Sequence, residues 1–568
     1  RFTFHPVQYV QITALPGTPS LDDLEGRCVY TTEDMSGTFE CSNPLFNRIH
    51  SNMIRTLQNA LKGFLLDCMH REPIGYNEPA SMSASLFTRK HMPRFWTKFA
   101  EDSRLAVAPD GSVSDIAPIF PGAAGRQPDV AQSVSYPMMI RYLYQCYDDR
   151  RLLENHYPAI KRWTDYIGRE MCEGPIVVKG WLGDHMLPGN APGYEKWLSD
   201  ETPPSLIWTA LYYRNLQITS EMAGVLGKTS DAREYAVLAE RVKRAFNDTW
   251  LDAATSHYGS KSQTSEILPL ALGLVPEENR AQLIGNIRQT ITETDKGHLR
   301  VGHVGLVALS ESLVENGVAD VMYGIVNQTT YPGWGYMVAN GATTIWESWG
   351  RDWATPGGRR RADSMTMLGS VDRFFYNHLA GIQGPTFFGP EIMQPGFKEF
   401  RIQPHVLDDM QYARAEVTTV RGAIRSAWQR AAGTFELCVE IPVNCRATIC
   451  IPKCGLTHVT VTEKGTAVYQ DARFLKTIPG ITAGNETRDY VILTVGSGSY
   501  TFRLEEDRST DTSATECHSC VTRSNRRLIE SYGRWCLHSL PRRSGEIHHS
   551  PFPSSHFPPT TSGARLLG

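Results

Sequence analysis

Residues 44–66 read PLFNRIHSNMIRTLQNALKGFLL and place Leu45, Ile49, Ile54, Leu57 and Leu61 at intervals of three to five. Apolar residues at that spacing share one side of a helix, so the stretch predicts an amphipathic helix. What flanks it decides the fold. Upstream, RFTFHPVQYVQI at 1–12 alternates apolar and polar residues, and 28–39 is also strand-like; together they predict the end of an N-terminal β unit over 1–43 whose earlier strands precede this sequence. Downstream, the helical period recurs at 138–149, 151–170, 203–227, 231–250, 277–293 and 304–328. Gly-, Pro- and Trp-rich loops separate these stretches.

Residues 44–382 therefore hold many helices and little strand signal, too much for a four-helix bundle. A toroid of paired helices fits, with an inner ring and long loops on one rim. An α-solenoid competes, but the sequence has no fixed period. After Ile382 the alternation returns, at 413–430, 435–452, 456–470 and 489–506. Residues 383–506 thus predict a β-sandwich. Residues 507–568 are rich in Ser, Thr, Pro, Arg and His, with little apolar periodicity. They predict a disordered tail.

Composition narrows the function classes. Of 568 residues, 41% are hydrophobic and 21% charged, which excludes a wholly disordered chain. The net charge of −3 is a poor basis for general nucleic-acid binding. No window approaches 18 consecutive apolar residues, so neither a transmembrane helix nor a membrane partner is expected. No signal-peptide h-region follows Arg1, which leaves the compartment open. Twelve cysteines in so long a chain are not a disulfide scaffold. Cys517 and Cys520 read as a chance pair. His298 and His303, with Asp295 nearby, read as polar surface, so neither metal nor cofactor is expected. With 23 Tyr, 21 Phe and 12 Trp, the chain suits an enzyme for sugars or other uncharged ligands.

Four clusters can carry chemistry. Asp67-Cys68-Met69-His70-Arg71-Glu72-Pro73-Ile74-Gly75-Tyr76-Asn77-Glu78 follows the first helix and concentrates carboxylates in a loop; its bland alternative is a solvated surface loop. Gly341-Ala342-Thr343-Thr344-Ile345-Trp346-Glu347-Ser348-Trp349 sets one carboxylate between two indoles, against a core-Trp alternative. Trp181-Leu182-Gly183-Asp184-His185 and Pro332-Gly333-Trp334-Gly335-Tyr336 are weaker, because Gly beside Trp often marks only a packed turn. Two carboxylates facing each other across a cavity are what glycosidic cleavage needs. Glu72 with Glu347 is the best pair, and only a closed toroid lets them meet. GxSxG, Walker, HExxH and GxGxxG motifs are absent.

On these residues the chain resembles the α-L-rhamnosidases of glycoside hydrolase family 78. The resemblance covers about 1–506 and rests on DCMHREPIGYNE at 67–78 and GATTIWESW at 341–349. FECSNPLFNRI at 39–49, WLGD at 181–184 and GSVDRFFYNHLAGI at 369–382 add to it. It implies a mainly α fold: an (α/α)6 toroid catalytic domain between a partial N-terminal β element and a C-terminal β-sandwich. It also implies inverting hydrolysis of terminal non-reducing α-L-rhamnosyl residues from glycosides or polysaccharides, with a rhamnosylated glycoside or oligosaccharide as the partner. Glu72 matches the general acid and Glu347 the general base. Asp67 and Glu78 match hydroxyl-binding acids, and Arg71 an organiser of the acidic pocket. Asp184, Trp181, Trp334 and Trp346 match the sugar-site lining. The chain departs from the family with Met69 in place of Pro, no His in DSMTML at 363–368, and no Trp-Gly-Asp element around 128–137. The alternatives are a toroid glycosidase for another α-linked sugar or an unsaturated uronide, and a non-catalytic carbohydrate-binding protein.

Overall fold

The computed structural model describes residues 37–506, apart from 70, 72, 90–91, 120–127, 199–200, 352–360, 390–393, 408 and 477. Before 37 it describes only 11–12, 16–18, 20–27 and 29–31. The strand expected at the N-terminus and the tail expected over 507–568 fall outside these residues, save for 11–12.

The first long helix, Pro44–Ala60, starts where its sequence provides a cap. The Asn43 side chain accepts from the amides of Leu45 and Phe46, and Pro44 occupies the first turn, where no amide is needed. Its buried apolar side is Phe46, Ile49, Met53, Leu57 and Ala60. That stripe is rotated from the expected one, because Leu45 and Ile54 lie at its margin while Phe46 and Met53 point inward.

The later helices come in pairs of unequal burial. Ser135–Tyr147, Pro204–Val225, Gln263–Ala271 and His303–Ser312 are buried around most of their circumference. Each is followed in sequence by a helix with a narrower buried side: Arg150–Tyr166, Thr229–Trp250, Glu277–Gln289 and Ala319–Asn327. Thr229–Trp250, for example, buries only Tyr235, Ala239, Val242 and Phe246. A helix apolar all round sits between neighbours, while one with a single apolar stripe sits at the periphery. Inner helices touch in cyclic order. Pro79–Arg89 meets Ser135–Tyr147, which meets Pro204–Val225, then Gln263–Ala271, then His303–Ser312, and the last touches Pro79–Arg89 again. No helix among the described residues is long and apolar enough to cross a membrane.

The C-terminal region is a ten-stranded sheet, antiparallel apart from one pairing, with Thr434–Pro452 and Tyr490–Glu506 as its long central pair. Its edge strand comes from the other end of the sequence. Gly37–Cys41 runs antiparallel to Tyr412–Thr419, with Gly37 opposite Val417 and Cys41 opposite Ala413. The strand read as closing a separate N-terminal unit therefore completes the C-terminal sheet, whose ladder pairs one side of it, while the Asn47 side chain takes the Cys41 amide and carbonyl at 2.9 and 2.8 Å. The sheet docks on the helices through short links. The Trp428 indole donates to the Leu379 carbonyl at 2.6 Å, and the Ser426 hydroxyl to that of Ala380 at 2.6 Å.

Candidate active site

Glu347 sits in a non-helical segment fixed from behind by the first helix. Thr56 accepts from the Ile345 amide at 2.8 Å, and the Asn52 side chain donates to the Ala342 carbonyl at 3.0 Å. On the other side the segment is laddered to 362–365, by Glu347 N–H to Ala362 C=O at 2.9 Å and Met365 N–H to Ile345 C=O at 3.0 Å. Three donors converge on the buried carboxylate. Arg71 reaches Oε1 at 2.7 Å, Arg361 reaches the same oxygen at 3.0 Å, and the Ala362 amide meets Oε2 at 2.6 Å. Two guanidinium groups thus compensate the buried charge. Arg361 also lies over the Trp197 ring, 5.5 Å from its centroid.

The 67–78 segment folds back on itself, with the Asp67 amide donating to the Ile74 carbonyl at 2.8 Å. Gly75 permits the next contact: a Cβ there would lie 2.2 Å from the Ala117 carbonyl oxygen. Glu78 ends the segment as the cap of Pro79–Arg89, its carboxylate accepting from Ala80 and Ser81 amides at 2.7 Å each. Burial pushes the Glu78 carboxyl up to about 7, against the pull of these donors. Glu72 lies outside the described residues.

Two buried aspartates hold the 181–185 segment. Asp129 accepts from the Trp181 and Leu182 amides at 3.2 Å each, and burial raises its carboxyl to about 7. Asp184 accepts from the amides of Gly302, Val304 and Gly305 at 2.7, 2.9 and 3.0 Å, and from the Thr264 hydroxyl. It is a cap supplied from afar to the start of His303–Ser312.

One cavity of about 120 Å³ gathers these segments. Asp67, Glu78, Asp115, Gln132 and His185 contribute polar groups, and Arg71 and Glu347 the ion pair. Leu182, Met186, Met365 and Met367 give an apolar side, and Tyr76, Trp181 and Trp197 bring rings. Trp181 and Trp197 are 48% and 40% exposed, so each presents a free surface at the mouth.

Of the residues singled out in the sequence, Asp67, Arg71, Glu78, Trp181 and Glu347 meet at this cavity. Asp184, Trp334 and Trp346 do not line it. Asp184 is turned to backbone amides. Trp334 is buried, donating to the Leu368 carbonyl at 2.7 Å and packed edge-on against Trp349. Trp346 is buried beneath Arg351, whose guanidinium stands 5.5 Å from its centroid. Sequence reasoning did not assign Asp115, Gln132, Trp197 or the three methionines. None stands in a polar cluster dense enough to mark it. His185 ends the Trp181-Leu182-Gly183-Asp184-His185 motif, but nothing local distinguishes it from a core histidine.

The chain matches a model described as the bacterial alpha-L-rhamnosidase 6 hairpin glycosidase domain over residues 34–379. A bacterial alpha-L-rhamnosidase C-terminal domain model matches over 389–466. An alpha-L-rhamnosidase of Streptomyces avermitilis is 30% identical over 491 residues, 83% of this chain and 44% of that protein. One of Formosa agariphila is 27% identical over 519 residues, 89% of this chain and 53% of that protein. Among solved structures, alpha-L-rhamnosidase from Dictyoglumus thermophilum superposes with a TM-score of 0.78 at 32% identity, covering 86% of this chain and 53% of that one. The Streptomyces avermitilis enzyme complexed with L-rhamnose gives 0.72 at 28% identity, covering 86% and 44%. The chain thus spans about half the length of the curated relatives it matches.

Proposed function

The chain belongs to the bacterial α-L-rhamnosidase family, and from that membership we propose that it hydrolyses terminal α-L-rhamnosyl residues of glycosides or oligosaccharides with inversion. The observation that carries the reading is Glu347, a buried carboxylate held by Arg71, Arg361 and the Ala362 amide, at a cavity shared with Asp67 and Glu78. Glu347 is the general base. Its donors fix its direction, so a water on the far face of the sugar meets an oriented oxygen. Glu72, one residue along from Arg71, is the general acid that protonates the leaving oxygen. Asp67 and Glu78 accept from ring hydroxyls. A 6-deoxy sugar presents a methyl group, and Leu182, Met186, Met365 and Met367 are the wall for it. The aromatic share of the site falls to Tyr76, Trp181 and Trp197. The space of about 120 Å³ is smaller than the roughly 300–1,000 Å³ of pockets for drug-sized ligands, in keeping with a small ligand such as a single sugar.

The same reading makes residues 44–382 an (α/α)6 toroid and 383–506 a β-sandwich. The cyclic order of inner helices supports the first, and it is what lets loops far apart in sequence face one cavity. A uronide reading requires a cation for the substrate carboxylate. Arg71 and Arg361 instead serve Glu347, which favours the neutral deoxy sugar.

The test is an assay of the wild type, Glu72→Gln and Glu347→Gln on aryl α-L-rhamnosides with good and poor leaving groups, the first-formed anomer followed by NMR. Glu72→Gln should penalise poor leaving groups most, and Glu347→Gln all substrates by about 10²–10⁴. Activity retained by both variants overturns the assignment of the pair, and a retained anomer overturns inversion.

A further inference from the structure

His185 lines the cavity, yet its Nδ1 is buried with no hydrogen-bond partner, and no hydrogen bond to Nε2 forms among the described residues. Its ring is clamped between His303, with centroids 3.8 Å apart, and Trp197, at 5.4 Å in an edge-on contact. Its position is fixed through the chain as well, because the preceding Asp184 is tied to three amides and the His185 carbonyl accepts from His303 N–H at 3.1 Å. A buried ring nitrogen left without a partner costs stability. A phenyl ring would fill the same clamp without that cost.

From this placement, and resting on the rhamnosidase reading above, we infer that His185 is a specificity-determining residue, its Nε2 hydrogen-bonding one ring hydroxyl of the bound sugar. Nδ1 is sealed away, so Nε2 is the nitrogen left for a ligand. Burial, together with the charge of Arg361, pushes the imidazole down to about 3, so the ring is neutral at ordinary pH. A neutral ring nitrogen suits an uncharged hydroxyl, because it donates or accepts a hydrogen bond without burying a charge. The clamp lets it do so without a search over rotamers. A ligand supplies the partner that the fold omits.

The test uses the full chain and compares wild type with His185→Phe and His185→Gln. The substrates are p-nitrophenyl α-L-rhamnoside and its 2-, 3- and 4-deoxy analogues, with melting temperature measured in parallel. Wild type should discriminate against one deoxy position by an amount that His185→Phe loses, about 10- to 100-fold in kcat/KM. The other positions should keep their wild-type ratios. His185→Phe should melt at or above the wild-type temperature, and His185→Gln should recover part of the discrimination. If wild type is active and His185→Phe keeps the wild-type ratio at all three positions, the inference is overturned. A melting temperature that falls together with uniform loss on every substrate also overturns it, because it marks a packing residue. A wild type inactive on every rhamnoside instead overturns the function on which the inference stands.

Discussion

Arg71 donates to the carboxylate of Glu347 at 2.7 Å across 276 residues of sequence. The bond joins the loop after the first helix to the Trp-flanked segment near the end of the helical region. Arg361 meets the same oxygen from the segment hydrogen-bonded alongside it. The two arginines differ in exposure, with side chains 27% and 8% accessible, and this difference separates their roles.

Arg71→Gln and Arg361→Gln should both lower kcat by about 10–100-fold, because each frees Glu347 to leave its fixed direction. Their stabilities should diverge. The more exposed Arg71 should cost less than about 1 kcal/mol, and the buried Arg361 about 2–3 kcal/mol. Urea unfolding of the two variants checks this, and equal losses would contradict the assignment of roles.

Asp184 should prove structural first. Asp184→Ala leaves three amides at the start of His303–Ser312 without their acceptor, and should cost about 2–5 kcal/mol. Gly302→Ala should cost more than about 2 kcal/mol, since its Cβ would lie 2.4 Å from the His185 carbonyl oxygen and 2.5 Å from that of Asp184. Thermal unfolding of both variants, with activity measured on the fraction still folded, tests the assignment.

Glu78 predicts a pH dependence of stability. Its carboxyl is raised in the folded protein from 4.5 to about 7, chiefly by burial. Between those values the native state holds a proton that the unfolded state has lost, so stability falls as pH rises from 4.5 to 7. At most about 3 kcal/mol is at stake. Glu78→Gln should remove this slope, so the variant should gain on wild type across that window. Melting curves at pH 4.5, 5.5, 6.5 and 7.5 read the difference, and parallel curves would refute it.

The methionine side of the cavity predicts sugar selectivity. An aryl α-L-mannoside adds one hydroxyl where rhamnose has a methyl group. Rejection of an added hydroxyl by an apolar wall is modest, about 10–200-fold. Met365→Ala together with Met367→Ala should narrow the rhamnoside-to-mannoside ratio by opening space for it. An unchanged ratio would place the methyl group elsewhere.

The local sequence marked most of the long helices, the later strands and two of the polar loops, but it passed over Pro79–Arg89, Pro93–Leu105 and Gln263–Ala271 and read His303–Ser312 and Ala319–Asn327 as one stretch. Helical and strand periods are set by neighbours a few residues apart, so Pro44–Ala60 and Tyr490–Glu506 were legible without a partner. The motifs around Asp67 and Glu347 were legible because carboxylates, arginines and indoles cluster there at short range. Tertiary structure decided what each group faces. Gly37–Cys41 was legible as a strand, but its ladder partner lies beyond residue 411. Asp184 and Trp334 look like site residues in sequence and are anchored instead, one to amides of a helix more than a hundred residues away and the other to the Leu368 carbonyl. Backbone amides and carbonyls exist at nearly every position, so no residue type announces which side chain will take them. Conversely Trp197, Asp115 and His185 reach the cavity only because two loops far apart in sequence end on one side of the packed helices. That convergence is a property of helix packing, which a local reading of composition or spacing does not contain.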